Sequence, residues 1–397
     1  MRKCAGKVLI IVENQPAGLD HRVAKQIGSL AESGYAVLVV TQRHPANRAR
    51  LAAPAVRLLE YPPPADPTGL FGYVAEYAYS FLMATILSAR ALLSERIDVV
   101  QFCQPPDVYF LLAPVFRWAG VRVLIDQRDL LAEMYTARYE HASRALLWVF
   151  RFFERHSQRS AEHILCVNGC LRDRALAASG LPAGRVSVIG NGPVLSRVAQ
   201  AGSDDCLKRG RAYLCCWVGE VGRQDRVDLV IRSIHEVVRG LGRSDCQFVV
   251  IGDGECLEQA KCLARELDVR DWVDFPGFLP PDQVFRYLAT ADLGLDASLQ
   301  SEVSPVKALE YMAFGLPLVS FDLPETRTIC EGAAAYAPPG DVQAHARAID
   351  ALLRSPRCRQ ELGRTGRARV DTELAWDHQA SGYLAVIEQL CGASGRT

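Results

Sequence analysis

The chain has 397 residues, 49% hydrophobic and 23% charged, and its 45 basic and 45 acidic residues cancel to a formal net charge of zero. That length suits two or three domains with cores of their own. The lack of basic excess argues against nucleic acid as a partner, because its phosphates would go unneutralised. The thirteen cysteines are scattered, many in apolar runs (Cys166, Cys246, Cys330, the adjacent Cys215-Cys216), with no CxxC or Cys/His ligand spacing. An odd number without a framework points to reduced thiols, no metal site and a cytoplasmic location. The first residues run straight into a strand, so no signal peptide is expected. No run reaches the roughly twenty apolar residues of a membrane span. The Arg- and Ala-heavy composition, with only six lysines, points to a high-GC bacterium.

Val8-Leu9-Ile10-Ile11-Val12 is an unbroken apolar run, the pattern of a parallel strand buried on both faces. A loop then leads into a helix over residues 21–33, which Gly34 ends, and residues 37–41 form the next strand. At the mouth of that helix, in Asp20-x-Arg22-Val23, Arg22 either reaches an anionic ligand or pairs with Asp20 as an ordinary first-turn residue. Pro62-Pro63-Pro64 is an extended turn, followed by a long helix over 72–93 bearing Tyr73, Tyr77 and Phe81. Exposed, this aromatic stripe would meet an acceptor or a membrane surface; turned inward, it is core. Residues 98–102 read as a strand, and Pro105-Pro106-Asp107 opens a helix. Residues 121–125 form a strand running into Asp126-Gln127-Arg128-Asp129-Leu130. Strands at 164–167 and 186–189 complete an alternating half, closed by Gly190-Asn191-Gly192-Pro193.

Residues 199–211, charged and glycine-containing, read as a linker. The alternation then restarts, with strands at 213–218, 248–251 and 273–275 and helices at 227–239, 256–267 and 282–290. Gly252-Asp253-Gly254 and Gly277-Phe278 follow two of these strands. Residues 376–390 form a last amphipathic helix. Two halves of similar size, each alternating strand and helix, imply two doubly wound α/β domains.

The most informative stretch lies at 292–322. After a strand at 292–296, SEVSPVKALEYMAFGLPLVSFD reads as loop, short helix, tight stop and buried strand. Ser304 suits the N-cap and Pro305 the first helical position. Val306, Leu309, Met312 and Ala313 recur at helical spacing as an inward face. Gly315 ends the helix and Pro317 prevents its return. Helix N-termini at the carboxyl ends of strands favour an anion. Glu302 and Glu310 bracket that place, and a carboxylate is a fitting acceptor for a vicinal diol.

Glu302-x7-Glu310, followed by YMAFGLPLVSFD, resembles the donor-site signature of retaining GT-B glycosyltransferases of family GT4. The resemblance spans essentially the whole chain, with Gly252-x-Gly254, Gly277-Phe278 and Ala291-Asp292 in family order. It implies a GT-B fold of two facing Rossmann-like domains. An acceptor-binding domain would cover 1–198, a linker 199–211 and a nucleotide-sugar-binding domain 212–374, with a helix over 375–397 crossing back onto the first domain. It further implies Glu302 on the sugar hydroxyls and Glu310 on the ribose. Val303, Ser304, Pro305 and Val306, with Gly219, Arg223, Gly252 and Gly254, would lie at the diphosphate, and Gly277 and Phe278 at the base. Asp20, Arg22 and Tyr73 would face the acceptor.

Two places depart from the family pattern. Where the family clamps the diphosphate with Arg and Lys, this chain has Glu220 and Asp225, which would repel it by on the order of 1 kcal/mol or more each. Lys307, in the first turn of the phosphate-facing helix, is the expected replacement cation, ahead of Arg223 and Arg226. Where the family has a His near the reacting sugar, this chain has Arg128, which stays protonated and cannot act as a base. It would hold the departing diphosphate or an anionic acceptor, with Asp129 as its partner. The implied activity is metal-independent, retaining transfer from a nucleotide diphosphate sugar such as a UDP-sugar. The acceptor is unnamed: a bacterial polysaccharide, glycolipid or secondary metabolite. Glu302, Arg128, Asp129 and Lys307 would carry the catalysis. The protein would need no cofactor beyond its co-substrate, act as a monomer or homodimer, and make at most peripheral membrane contact. The rival reading is a catalytically inactive GT-B scaffold serving an active transferase; a nucleotide-sugar epimerase is a third.

Overall fold

The computed structural model describes residues 5–13, 15–64, 69–138, 142–300 and 304–394. The chain divides into two compact units, residues 1–190 with 379–397, and residues 191–378. No described helix is long and apolar enough to cross a membrane.

The first unit is built on seven parallel strands: β1 (Lys7–Ile11), β2 (Ala36–Gln42), β3 (Val56–Tyr61), β4 (Val99–Gln104), β5 (Arg122–Gln127), β6 (His163–Cys166) and β7 (Val186–Val188). Their order is β3-β2-β1-β4-β5-β6-β7. The order reverses between β1 and β4, where the two crossovers leave in opposite directions and open a crevice beyond the strand ends. Leu9, Ile11, Val100 and Phe102 are fully buried in one core cluster. The edge strand β3 is absent from the expectations above: its Arg57 and Glu60 interrupt the apolar run, as suits an edge with one face toward water. Pro105-Pro106-Asp107 does not open a helix as expected. The residue before a proline is kept out of the helical region, and helical turns begin at Tyr109–Leu111 and Ala113–Trp118. The long helix Gly69–Ser94 buries Ala84 and Ala91 but leaves Tyr77 and Leu82 exposed, so it supplies both a core stripe and an outer apolar surface. The last helix, Trp376–Ser394, belongs to the first unit from Gln379 onward. Its Tyr383, fully buried, donates to Gln101 Oε1 at 2.7 Å, and Gln379 accepts from the Gly190 N–H at 2.7 Å.

The second unit has six parallel strands: β8 (Tyr213–Val218), β9 (Cys246–Ile251), β10 (Val273–Gly277), β11 (Leu293–Leu295), β12 (Leu318–Phe321) and β13 (Ala334–Ala337), in the order β10-β9-β8-β11-β12-β13. The two units are thus Rossmann-like α/β domains. The second unit starts at Asn191, ahead of the expected linker, because Val198 is buried in its core. Residues 199–211 are likewise anchored rather than loose. Asp204 caps the turn Asp205–Lys208, pairs with Arg286 at 2.7 Å and takes its own N–H to Thr290 Oγ1 at 2.8 Å.

Tyr383→Phe should cost the first unit about 1–3 kcal/mol, because Gln101 Oε1 would be left buried without its donor. Urea unfolding, with unchanged slope, measures the loss; a variant as stable as the parent would show that the C-terminal helix is not held through this bond.

Candidate functional site

In the second unit the carboxyl ends of β8 and β11 and the helix Val306–Ala313 enclose a cavity of about 240 Å³, lined by Gly219, Asp225, Asp296, Ser304, Lys307 and Glu310 among others. Tyr311 fixes this corner. Its buried hydroxyl accepts from the Val218 N–H at 3.0 Å and donates to Leu295 O at 3.2 Å, tying the ends of both strands to the helix. Its ring lies over Gly294, where an added Cβ would come within 2.3 Å of it. Neither residue stands out in the sequence; the only signal is a glycine inside a three-residue strand.

Lys307 is the cation the structure brings to the cavity. Its ammonium lies 3.3 Å from Asp225 Oδ1, 3.4 Å from Asp296 Oδ1 and 4.5 Å from the Trp217 ring centroid. Asp225 therefore does not present a bare charge: burial raises its carboxyl pKa, and Lys307 opposes that rise. The other two candidates point elsewhere. Arg226 pairs with Asp228 at 2.9 Å, and Arg223 leans toward Glu255 at 4.0 Å, outside the cavity lining.

The helix start differs from the sequence reading. Pro305, not Ser304, occupies the cap position, and Val306 donates to Ser304 O at 2.9 Å. The Val306 N–H is therefore already used, and Pro305 has none to offer. Val306 is 40% exposed and lines the cavity, whereas Leu309, Met312 and Ala313 face the core. Glu302 and Val303 lie outside the described residues.

Gly219, Gly252 and Gly277 come together through their backbones. Gly219 donates to Ile251 O at 3.1 Å and Gly252 to Gly277 O at 3.0 Å. Gly252 (φ +143°) has no room for a side chain, since a Cβ there would lie 1.8 Å from Gly219 O. The same holds less severely for Gly254, 2.7 Å from Val221 O. These glycines let two loops touch; Gly219 also lines the cavity, and Gly252, Gly254 and Gly277 do not. Phe278, beside Gly277, is 74% exposed.

In the first unit the expected ligand-facing charges are consumed internally. Arg22 is 3% exposed. It grips Asp126 through Nε (3.0 Å to Oδ2) and Nη2 (2.7 Å to Oδ1), and its Nη1 donates to Ile189 O at 2.8 Å. Its guanidinium thus pairs with Asp126 and not with Asp20. Asp20 instead caps the helix His21–Glu32, accepting from the N–H groups of Arg22 (3.0 Å) and Val23 (2.9 Å), and takes a hydrogen bond from Arg128 Nη1. Arg128 bridges Asp20 and Asp126, so its expected pairing with Asp129 does not form. Its Nη2 is buried with no hydrogen-bond partner among the described residues. Burial raises Asp129, and Arg128 only partly offsets the rise. Burial would also raise Asp126, but Arg22 and Arg128 outweigh it and hold the carboxyl at about 2. Tyr73 lies on the helix Gly69–Ser94, and its side chain is outside the described set.

A second polar group escaped the sequence reading. Gln104 and Gln127 end β4 and β5; Gln104 donates to Ser157 Oγ, and Gln127 accepts from Gln158 at 2.8 Å. Nearby Asp107 is fully buried, both oxygens without a hydrogen-bond partner among the described residues, and burial, with a contribution from Glu154, pushes it up to about 8. Burial likewise lifts Glu154 and Glu13 to about 7. Among the described residues no group of three His, Cys, Asp or Glu side chains is placed to hold a metal ion.

Residues 17–192 match the family model described as glycosyl transferase 4-like domain, and residues 212–355 match glycosyl transferases group 1. Alpha-D-kanosaminyltransferase of Streptomyces kanamyceticus is 26% identical over 337 residues, covering 79% of this chain and 83% of that protein. 2-deoxystreptamine N-acetyl-D-glucosaminyltransferase of Streptomyces fradiae is 26% identical over 405 residues, 95% of this chain and 93% of that protein. Among solved structures, HepE of Anabaena in complex with UDP superposes with a TM-score of 0.73 at 14% identity, covering 97% of this chain and all of that one.

Asp107 stays protonated in the fold up to about pH 8 but ionises above about pH 3.9 when unfolded. Between those values the folded state holds the extra proton, so stability declines as pH rises. Asp107→Asn removes that decline, and its stability relative to the parent should increase from about pH 5 to about pH 8. A difference independent of pH would show that Asp107 ionises normally.

Proposed function

We propose that this chain, a glycosyltransferase of the GT-B fold, moves a sugar from a nucleotide diphosphate sugar to an acceptor hydroxyl, with retention of configuration and without a metal ion. The observation that carries this reading is the pairing of Glu310 and Lys307 on one short helix at the mouth of the cavity. The Glu310 carboxylate suits the ribose diol, and the Lys307 ammonium suits the diphosphate that gains charge as the glycosidic bond breaks. Glu302 would take the sugar hydroxyls. The solved UDP complex of a protein of the same fold favours a UDP-sugar as donor.

Retention follows a front-face course. The bond from the anomeric carbon to the diphosphate breaks, the acceptor oxygen bonds on the same face, and its proton passes to the departing diphosphate oxygen. No base is needed from the protein, which suits a chain whose family His is replaced by Arg128. Arg128 Nη2, without a hydrogen-bond partner among the described residues, would suit an oxyanion. The inactive-scaffold reading rests on Glu220, Asp225 and Arg128 departing from the family pattern, Asp225 by repelling the donor. The Lys307–Asp225 pair removes much of that objection, and the two named relatives are transferases.

Glu310→Ala should weaken binding of UDP roughly tenfold to a hundredfold by calorimetry, the loss of a charge-assisted hydrogen-bonding pair, with the circular dichroism unchanged. Equal affinity in the variant would remove Glu310 from the site. Asp225→Asn takes one negative charge away from the cavity and frees Lys307, so UDP should bind about fivefold more tightly or better, equivalent to on the order of 1 kcal/mol. Weaker binding would instead show that Asp225 serves the ligand.

A further inference from the structure

The helix Arg144–Arg159 exposes Arg144, Trp148, Arg151, Phe152, Arg155 and Arg159. Separated by three or four residues, these side chains form one continuous face. The other side fixes the helix to its unit. Ser157 and Gln158 are fully buried, Phe153 packs on Phe110 at 5.8 Å between ring centroids, and Phe150 packs on Tyr135 at 5.4 Å. The outer face is thus not waiting for a core.

Its composition is unusual for water. Trp148 is 67% exposed and stacks on Phe152 at 5.6 Å. A single exposed apolar residue needs no explanation, but this aromatic pair is flanked along the helix by four arginines. The only acidic residue of the helix, Glu154, is off that face and half-buried. In a chain whose charges cancel overall, this is a local concentration of cations. The turn Tyr109–Leu111 packs on the helix through Phe110, and the segment Ala113–Trp118 that follows that turn carries Trp118, 91% exposed.

We propose that this face docks the protein on a bilayer containing anionic lipids, with Trp148 and Phe152 entering the boundary of the acyl layer and the arginines meeting lipid phosphates. Guanidinium groups bind phosphate oxygens in pairs, and tryptophan is favoured where an apolar ring meets a wet headgroup layer. A helix of 16 residues lies flat over about 24 Å. A protein partner would need acidic groups in register along that length, whereas mobile anionic headgroups match any spacing of cations. The dock is independent of the transfer reading, since it shares no residue with the cavity of the second unit.

The test is sedimentation of the full chain with vesicles of phosphatidylcholine alone, or of phosphatidylcholine and phosphatidylglycerol in equal parts. Binding to the anionic vesicles only, reversed by salt and accompanied by a blue shift of tryptophan emission, is the expected result. Arg151→Gln and Arg155→Gln should each weaken it about fivefold. Trp148→Ser with Phe152→Ser should weaken it further while leaving the thermal midpoint in place. Arg357→Gln, an exposed change in the second unit, should have no effect. Absence of binding to anionic vesicles, or binding indifferent to the helix variants, would overturn the proposal. So would a dimer in light scattering that Trp148→Ser dissolves, since the face would then join two copies of the chain.

Discussion

The second unit turns on one ammonium group. Lys307 joins four separate stretches of chain: Trp217 at the end of β8, Asp225 in the loop that follows, Asp296 after β11, and its own helix. An ammonium between two carboxylates is stable where either carboxylate alone, largely removed from water, would be costly, and taking away one partner of a buried ion pair is strongly destabilising. Tyr311, one turn along the same helix, binds backbone groups of the same two strands. Folding of the unit and preparation of the cavity are therefore one event. The same arrangement answers a chemical difficulty, because it lets an acidic residue occupy a place beside a diphosphate without expelling it.

The first unit uses its charges in the opposite sense. Asp20, Arg22, Asp126 and Arg128 neutralise one another at the carboxyl end of β5, and among the described residues one edge of Arg128 is left unmet. Gln26 extends the chain of contacts, donating to Asp126 at 3.0 Å and accepting from Gln101 at 2.9 Å, and Tyr383 of the last helix closes it. A network satisfied this fully favours one arrangement of the strand ends over others. Three other carboxyls of this unit, Asp107, Glu154 and Glu13, are lifted by burial.

Much of the fold was legible because buried parallel strands write themselves as unbroken apolar runs. Residues 8–12, 213–218 and 318–321 are of this kind, and each falls on an observed strand with at most an end residue beyond it. The edge strand β3, broken by Arg57 and Glu60, was not legible for the same reason. The helix bearing Glu310 was found, but its cap was misplaced by one residue, because Ser and Pro are both good openers and only the backbone decides between them. Charged partners were the least legible. Arg22 meets Asp126 across 104 positions and Lys307 meets Asp225 across 82. Local sequence offered Arg22 a nearer partner, Asp20, whose carboxylate is already engaged as a helix cap.

The most direct test of the donor site is thermal unfolding of the purified chain against a panel of UDP-, GDP-, dTDP- and ADP-sugars. A ligand at a hundred times its dissociation constant adds about 2.7 kcal/mol of stability, a shift of several degrees for a unit of this size. The cavity built around Lys307 and Glu310 predicts a clear shift for a UDP-sugar. No shift with any of the four would contradict a working donor site and return the chain to the role of an inactive scaffold.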